Sequence, residues 1–255
     1  MMTRDELAEV ASLRGLSVRN TELDYLQDVC LHTVSRYRRA MVFKGGTALY
    51  KFHGLNRFSE DLDFVLGKRR LDLEKVSDRI ARSCDLLGIG CVMGRLDMYR
   101  NEMNMDILLR GPLYDGRKES MARVAFNVSL REVPQEVEPI LHPTPFREIP
   151  TFELHVMSAS EMMAEKVRAI MTRDKPRDVY DLWFLFQRGV PLDVGLAGRK
   201  LSLYDVEFSV EDLVLAIEER RGSWKRDLGS LIIGRLPDFD EVLARLREEL
   251  EILPR

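Results

Sequence analysis

The sequence predicts an α+β protein. A mixed sheet with flanking helices is expected over residues 1–155, and a helical half over residues 156–255. Three observations carry this reading. Short apolar runs, several alternating between two faces, cluster between Met41 and Leu130, as strands do. Amphipathic stretches at helical spacing precede them and dominate the chain after Ser158. Between the two halves lies a passage rich in proline, Val133 to Pro150, which suits extended connections and edge strands but not helix interiors or central strands.

Each element has its own signal. Thr3 to Leu13 reads as a helix, because Thr3 followed by Glu6 makes a capping box and Gly15 ends it. Thr21 to Arg39 reads as a second helix, with Leu23, Leu26, Val29, Cys30 and Val34 along one stripe. Its basic end, Arg36, Arg38 and Arg39, suits a helix C-terminus or an RNA backbone. Met41-Val42-Phe43 reads as a short strand ending at Lys44. Gly45-Gly46 allows a tight turn, Thr47 caps a short helix through Phe52, and His53-Gly54 stops it.

Asp61 to Leu66 is the next strand, with Asp61 and Asp63 on one face and Leu62, Phe64 and Leu66 on the other. Lys68-Arg69-Arg70 reads as basic surface, and Leu71 to Leu87 as an amphipathic helix. Ile89 to Met93, Asn104 to Leu109 and Ala122 to Leu130 read as strands. Past the prolines, Ser158 or Ser160 caps a helix through Met171. Arg177 to Leu185 forms the next helix, and Gly189 to Arg199 a loop. Val210 to Arg220 and Glu241 to Leu250 are the last helices, with Trp224 expected as a core anchor.

Composition narrows the function. The 255 residues are 45% hydrophobic and 32% charged, as in a water-soluble globular protein. A net charge of −3 argues against nucleic-acid binding by bulk charge, though not against a local basic patch. Three cysteines, Cys30, Cys84 and Cys91, lack zinc-site spacing and read as reduced thiols of a cytoplasmic protein. His142 and His155 read as structural, with no further ligand at zinc spacing. The N-terminus lacks a signal-peptide pattern, and no apolar run approaches the roughly 20 residues that span a membrane.

The chemistry is concentrated between Met41 and Leu66. Two carboxylates on one strand face can hold Mg²⁺ (or Mn²⁺), which takes oxygen ligands and commonly shares them with substrate phosphates. A glycine turn opening a helix points backbone N–H groups at an anion. Together these features point to phosphoryl or nucleotidyl transfer.

Gly-Gly-Thr followed by Asp-x-Asp resembles the signature of the DNA polymerase β-like nucleotidyltransferase superfamily. The longer string, Phe43-Lys44-Gly45-Gly46-Thr47-Ala48-Leu49 with Arg57-Phe58-Ser59-Glu60-Asp61-Leu62-Asp63-Phe64, resembles the AbiEii/AbiGii-type toxin nucleotidyltransferases, which include the MenT toxins. The helix bearing Glu165-Lys166, followed by Arg177-Asp178-Val179-Tyr180-Asp181-Leu182, is similar to that family too. The resemblance covers most of the chain. It implies a nucleotidyltransferase fold in the first half and a helical domain closing over the nucleotide.

It also implies residue roles. Asp61 and Asp63 would bind the metal, and Gly45, Gly46 and Thr47 the β- and γ-phosphates of an NTP. Lys166 and Arg57 would offset triphosphate charge, and Asp181 would support Lys166 or act on the acceptor as a base. Ser59, next to the metal strand, would bond a phosphate oxygen, and a phosphate group added to it would repel the NTP. The acceptor implied is RNA, a tRNA 3′ end, and the biological setting a toxin–antitoxin or abortive-infection system with a cognate antitoxin.

The superfamily's third carboxylate falls at Asn127, a departure from the pattern, and Asp106 on the preceding strand is the alternative acid. Two other readings stay open: a protein side chain as acceptor, and an NTP-binding relative without catalysis. The bland reading of Glu165, Lys166, Arg177, Asp178 and Asp181 is a set of helix-surface ion pairs.

Overall fold

The computed structural model of the protein describes residues 1–67 and 71–253, so Lys68-Arg69-Arg70 lies outside the described residues. The chain divides into two compact units. Unit one comprises Met1–Phe52 with Ser59–Met157, and unit two comprises His53–Phe58 with Ser158–Arg255.

Unit one opens with α1 (Arg4–Arg14), whose N-terminus carries the capping box of Thr3 and Glu6. Next comes α2 (Val18–Val34), capped by Ser17. The second helix therefore ends earlier than Arg39. Residues Ser35–Ala40 form a 3-10 segment in which Arg38 has φ 48° and ψ −131°. That backbone cannot continue an α-helix, and it turns the chain into β1 (Met41–Lys44).

The following helix, α3 (Gly45–His53), starts at Gly45 and not at Ala48, so Thr47 lies inside its first turn and does not cap it. Then come β2 (Asp61–Leu66), α4 (Leu73–Leu86), β3 (Gly90–Met93), β4 (Asp97–Met98), β5 (Glu102–Arg110), β6 (Ala122–Ser129), β7 (Val137–His142) and β8 (Phe152–Met157).

Among the described residues the strands form one mixed sheet, ordered β3-β5-β6-β2-β1-β8-β7, with β4 paired to β5. β2 runs antiparallel to β1 and parallel to β6. β8 runs parallel to β1, a pairing with no local signal in the sequence. β7 is an edge strand, where Pro139 is tolerated. The apolar faces of β1, β2 and β6 meet in a row of rings. Phe43 and Phe64 lie 5.1 Å apart, Phe64 and Phe126 4.8 Å, and Phe52 of α3 packs on Phe43. This core fixes the opposite face of β2, which carries Asp61 and Asp63.

Unit two is helical: α5 (Ala159–Thr172), α6 (Pro176–Gln187), α7 (Val194–Ser202), α8 (Val210–Glu219), α9 (Trp224–Leu228) and α10 (Phe239–Glu251). Ser158 caps α5. α7 occupies a stretch expected as a loop. Asp193 caps it, and buried Leu196, Ala197 and Leu201 outweigh the low helix preference of Gly195 and Gly198. Trp224 is buried, as expected of a core anchor, and its indole N–H donates to the Pro237 carbonyl at 3.1 Å. The segment His53–Phe58 is tied in by two backbone bonds, Phe58 N–H to Leu231 O (2.7 Å) and Ile233 N–H to Asn56 O (2.8 Å).

Candidate active site

Strand pairing sets out the polar face of unit one. Asp63 faces Lys44 on β1 and Asn127 on β6, and Asn127 in turn faces Asn104 on β5. Residues opposite each other in a sheet point to the same side, so these four form one row. Asp61 heads the next row, with Ala125 and Asp106. Lys44 thus stands next to the Asp63 position, although in the sequence it reads only as the end of an apolar run. The antiparallel register of β1 on β2 is what identifies it.

The glycine turn sits against this face. Gly45 has φ +79°, in the left-handed region, and a Cβ there would lie 2.7 Å from Asp63 Oδ2. Only glycine leaves that oxygen room. Thr47 is buried, and its hydroxyl donates to the Asp61 carbonyl, which ties α3 to β2. The far end of α3 is anchored through Lys51, whose buried ammonium pairs with Asp24 and with Asp28 at 2.7 Å. Asp28 also takes His142 Nε2 at 3.0 Å, which gives that histidine a structural partner. Gln27 Nε2 donates to the carbonyls of Ser59 and Glu60, both at 2.9 Å, and so fixes the entry to β2. Ser59 itself is buried.

Where the superfamily pattern has a third carboxylate, Asn127 Nδ2 donates to Asp63 Oδ1 at 3.0 Å. The amide orients Asp63 through one oxygen, and the other faces Gly45. Asp106 lies two strands from Asp61, about 10 Å at the usual strand spacing, and pairs with Arg123 at 2.8 Å. Asp106 therefore does not complete the carboxylate pair. The donor set around Asp61 and Asp63 is all oxygen and two carboxylates strong. That fits Mg²⁺, which takes its remaining ligands from water and substrate phosphates. Among the described residues, no group of three or more histidine, cysteine, aspartate or glutamate side chains gathers to hold a metal alone.

In unit two, Lys166, Asp181 and Arg57 meet. Lys166 Nζ lies 2.7 Å from Asp181 Oδ2 and 3.0 Å from Asp178 Oδ1. Arg57 grips Asp181 with two bonds of 2.8 Å, and Arg173 grips Asp178 at 2.8 and 2.9 Å. Asp178, Asp181, Arg57 and Lys166 are all buried, so this is an interior network and not a set of helix-surface pairs. Burial alone would raise both carboxyls. The cations outweigh it, Lys166 and Arg173 at Asp178 and Arg57 and Lys166 at Asp181, and hold both below the ordinary carboxylate range. In the sequence Asp178 reads only as a member of the helix-surface ion pairs. Its signal is the three-residue spacing from Asp181, which puts both carboxylates on one face of α6.

Comparison with known proteins identifies the family and the fold. The family model "Nucleotidyl transferase AbiEii toxin, Type IV TA system" matches residues 31–245. Among proteins with curated descriptions, none matches the sequence significantly. Of solved structures, MenT4, a nucleotidyltransferase toxin from Mycobacterium tuberculosis H37Rv, is similar with TM-score 0.67 and 21% identity, covering 100% of this chain and 91% of its own. JHP933 from Helicobacter pylori is similar with TM-score 0.58 and 20% identity, covering 93% of this chain and 92% of its own. At such identities the structures establish the fold alone, a nucleotidyltransferase fold with a mixed sheet and flanking helices. The family match spans most of the chain, including both the Asp61–Asp63 strand and the Lys166–Asp181 helices. The chain belongs to the AbiEii family of toxin nucleotidyltransferases of type IV toxin–antitoxin systems.

Proposed function

We propose that the protein transfers a nucleoside monophosphate from an NTP to an RNA acceptor, a tRNA 3′ end, in a Mg²⁺-dependent reaction. The observation that carries this reading is the Gly45 turn against Asp63. The N-terminus of α3, where backbone N–H groups point at an anion, meets a two-carboxylate strand at a spacing that leaves no room for a Cβ at Gly45. Asp61 and Asp63 hold the metal, which offsets triphosphate charge when bound. Gly45, Gly46 and Thr47 present backbone N–H groups to the β- and γ-phosphates. Asn127 keeps Asp63 in its working orientation.

Lys166 is the cation assigned to the triphosphate. Its contacts with Asp178 and Asp181 support a preset position. Arg57, committed to Asp181, acts through that carboxylate and not as a free phosphate ligand. Ser59 closes the loop entering β2, where a phosphate group would oppose the NTP. Type IV family membership implies a cognate antitoxin as partner. Among the described residues no helix is long and apolar enough to cross a membrane. A tRNA substrate places the activity in the cytoplasm.

The test is transfer of label from each α-³²P-NTP, with Mg²⁺, to total tRNA and then to lysate protein, with Asp63→Ala as the blank. Label on tRNA that disappears in the variant and with chelator supports the proposal. Full transfer by Asp61→Ala or Asp63→Ala would overturn the metal assignment.

A further inference from the structure

Unit one contains a cavity of about 450 Å³ beside Asp61. Arg19 of α2, Glu60, Asp61, Ala122, Arg123 and Ala125 are among its lining residues. Ala125 is the register partner of Asp61, so the residue directly opposite Asp61 on β6 carries only a methyl group. Arg19 and Arg123 are both exposed; Arg123 pairs with Asp106 at 2.8 Å at a solvent-exposed position and also feels the charges of Asp61 and Glu60. Such a pair is weak and can be exchanged for another anion.

The position of this cavity matters for the transfer proposed above, on which this inference rests. β2 lies between β1 and β6. The Gly45–Thr47 turn follows β1, so phosphates held there lie on the β1 side of Asp61 and Asp63. In phosphoryl transfer the attacking and leaving oxygens stand roughly in line on opposite sides of phosphorus. With pyrophosphate leaving toward the β1 side, the attacking oxygen has to arrive from the β6 side, where the cavity lies.

We propose that this cavity receives the terminal nucleotide of a polynucleotide acceptor, with Arg19 and Arg123 on its phosphates. The acceptor hydroxyl oxygen bonds to the α-phosphorus, and the bond from that phosphorus to the oxygen bridging to the β-phosphate breaks. Pyrophosphate leaves, and the hydroxyl proton passes to solvent. A nucleotide is favoured over a protein side chain on two counts. The volume falls in the range of small-ligand sites and exceeds a hydroxyl-bearing side chain. The two guanidinium groups also match phosphate geometry.

The experiment uses the full chain and three variants: Arg19→Glu, Arg123→Glu and Ala125→Leu. Binding of fluorescently labelled tRNA without NTP is measured by anisotropy across a salt series. NTP affinity and the KM for tRNA in transfer are measured alongside. Each charge reversal is expected to weaken tRNA binding and raise its KM about tenfold, equal to one lost contact of about 1.4 kcal/mol. Each is expected to flatten the slope of log affinity against log salt by about 0.7, as for a single strand. Ala125→Leu is expected to raise the tRNA KM with NTP affinity within about twofold of wild type.

Unchanged tRNA binding and salt slope in both arginine variants would overturn the proposal. So would equal loss of NTP and tRNA affinity in Ala125→Leu, which would place the NTP itself in the cavity, and so would label transferred to protein and not RNA. If the wild type binds tRNA and the arginine variants lose it, the cavity assignment stands even where no transfer is seen. The transferase reading then fails by itself.

Discussion

Replacing Gly45 by alanine tests the centre of the site with one methyl group. The added Cβ would lie 2.7 Å from Asp63 Oδ2, and ordinary van der Waals contact starts at 3.4 Å, so the carboxylate oxygen must withdraw by the 0.7 Å difference. Misplacement of about 1 Å in a reacting constellation costs on the order of 10²-fold in rate. The backbone pays separately, since an L-residue at φ +79° carries left-handed strain of about 1–2 kcal/mol. In a protein of this size that lowers the melting temperature by about 2–8 °C. The assay is pyrophosphate release at saturating NTP and acceptor, with thermal unfolding on the same preparation. The expected result is a large fall in kcat with a modest fall in Tm. A fall in Tm with kcat unchanged would mean that glycine serves the backbone alone, and that the closeness to Asp63 has no catalytic role.

Three further outcomes follow from other contacts. Asn127→Ala removes the hydrogen bond to Asp63 Oδ1 and is expected to weaken Mn²⁺ affinity by about 10- to 100-fold. Calorimetric titration with a non-hydrolysable NTP checks this, and an unchanged affinity would remove Asn127 from the site. Asp181→Ala leaves Arg57 and Lys166 buried without that carboxylate and is expected to cost about 3–5 kcal/mol. Urea denaturation reads it, and a loss below about 1 kcal/mol, typical of a surface pair, would refute the interior network.

The last concerns acid. Burial raises the Asp28 carboxyl, but Lys51 and His142 outweigh it and hold the folded-state value at about 2, below the ordinary 3.8. A carboxyl depressed by folding contributes stability that is complete above its unfolded value and lost as pH falls through the folded one. Asp28→Asn is therefore expected to be less stable at pH 7, yet to lose less stability than wild type between about pH 4 and pH 2. Parallel acid profiles of the two proteins would contradict this.

What the sequence disclosed was local. The capping box at Thr3, the Ser158 cap, the alternation of β2 and the edge placement of Pro139 each depend on residues within a few positions. What it withheld depended on distant partners. β8 takes its place in the sheet from β7 and from β1, whose Phe43 pairs with Val156 far along the chain. Lys44 joins the site through register, which no single strand specifies. Thr47 reads as a cap from its neighbours, but its hydroxyl is taken by the Asp61 carbonyl 14 positions along, and α3 starts before it at Gly45. α7 was masked by Gly195 and Gly198, and its burial could not be seen from its own residues. The motif containing Arg57 gives no sign of its partner, since its bond to Asp181 spans 124 positions.

That last separation bears on how the chain is made. Residues His53–Phe58 leave the ribosome between α3 and β2, long before Asp181 and Ile232, the residues that bind them. At roughly 5–20 residues per second, Arg57 waits about 6–25 s for Asp181, which lies 124 positions later. During that interval a guanidinium destined for the interior remains hydrated, and the arm between α3 and β2 lacks the α6 carboxylate that fixes it. A chain that terminates before α6 never closes this arm. The fold thus couples the loop between α3 and β2 to synthesis of α6 and of the segment around Ile232, so a chain truncated before them is not merely a shorter copy of this one.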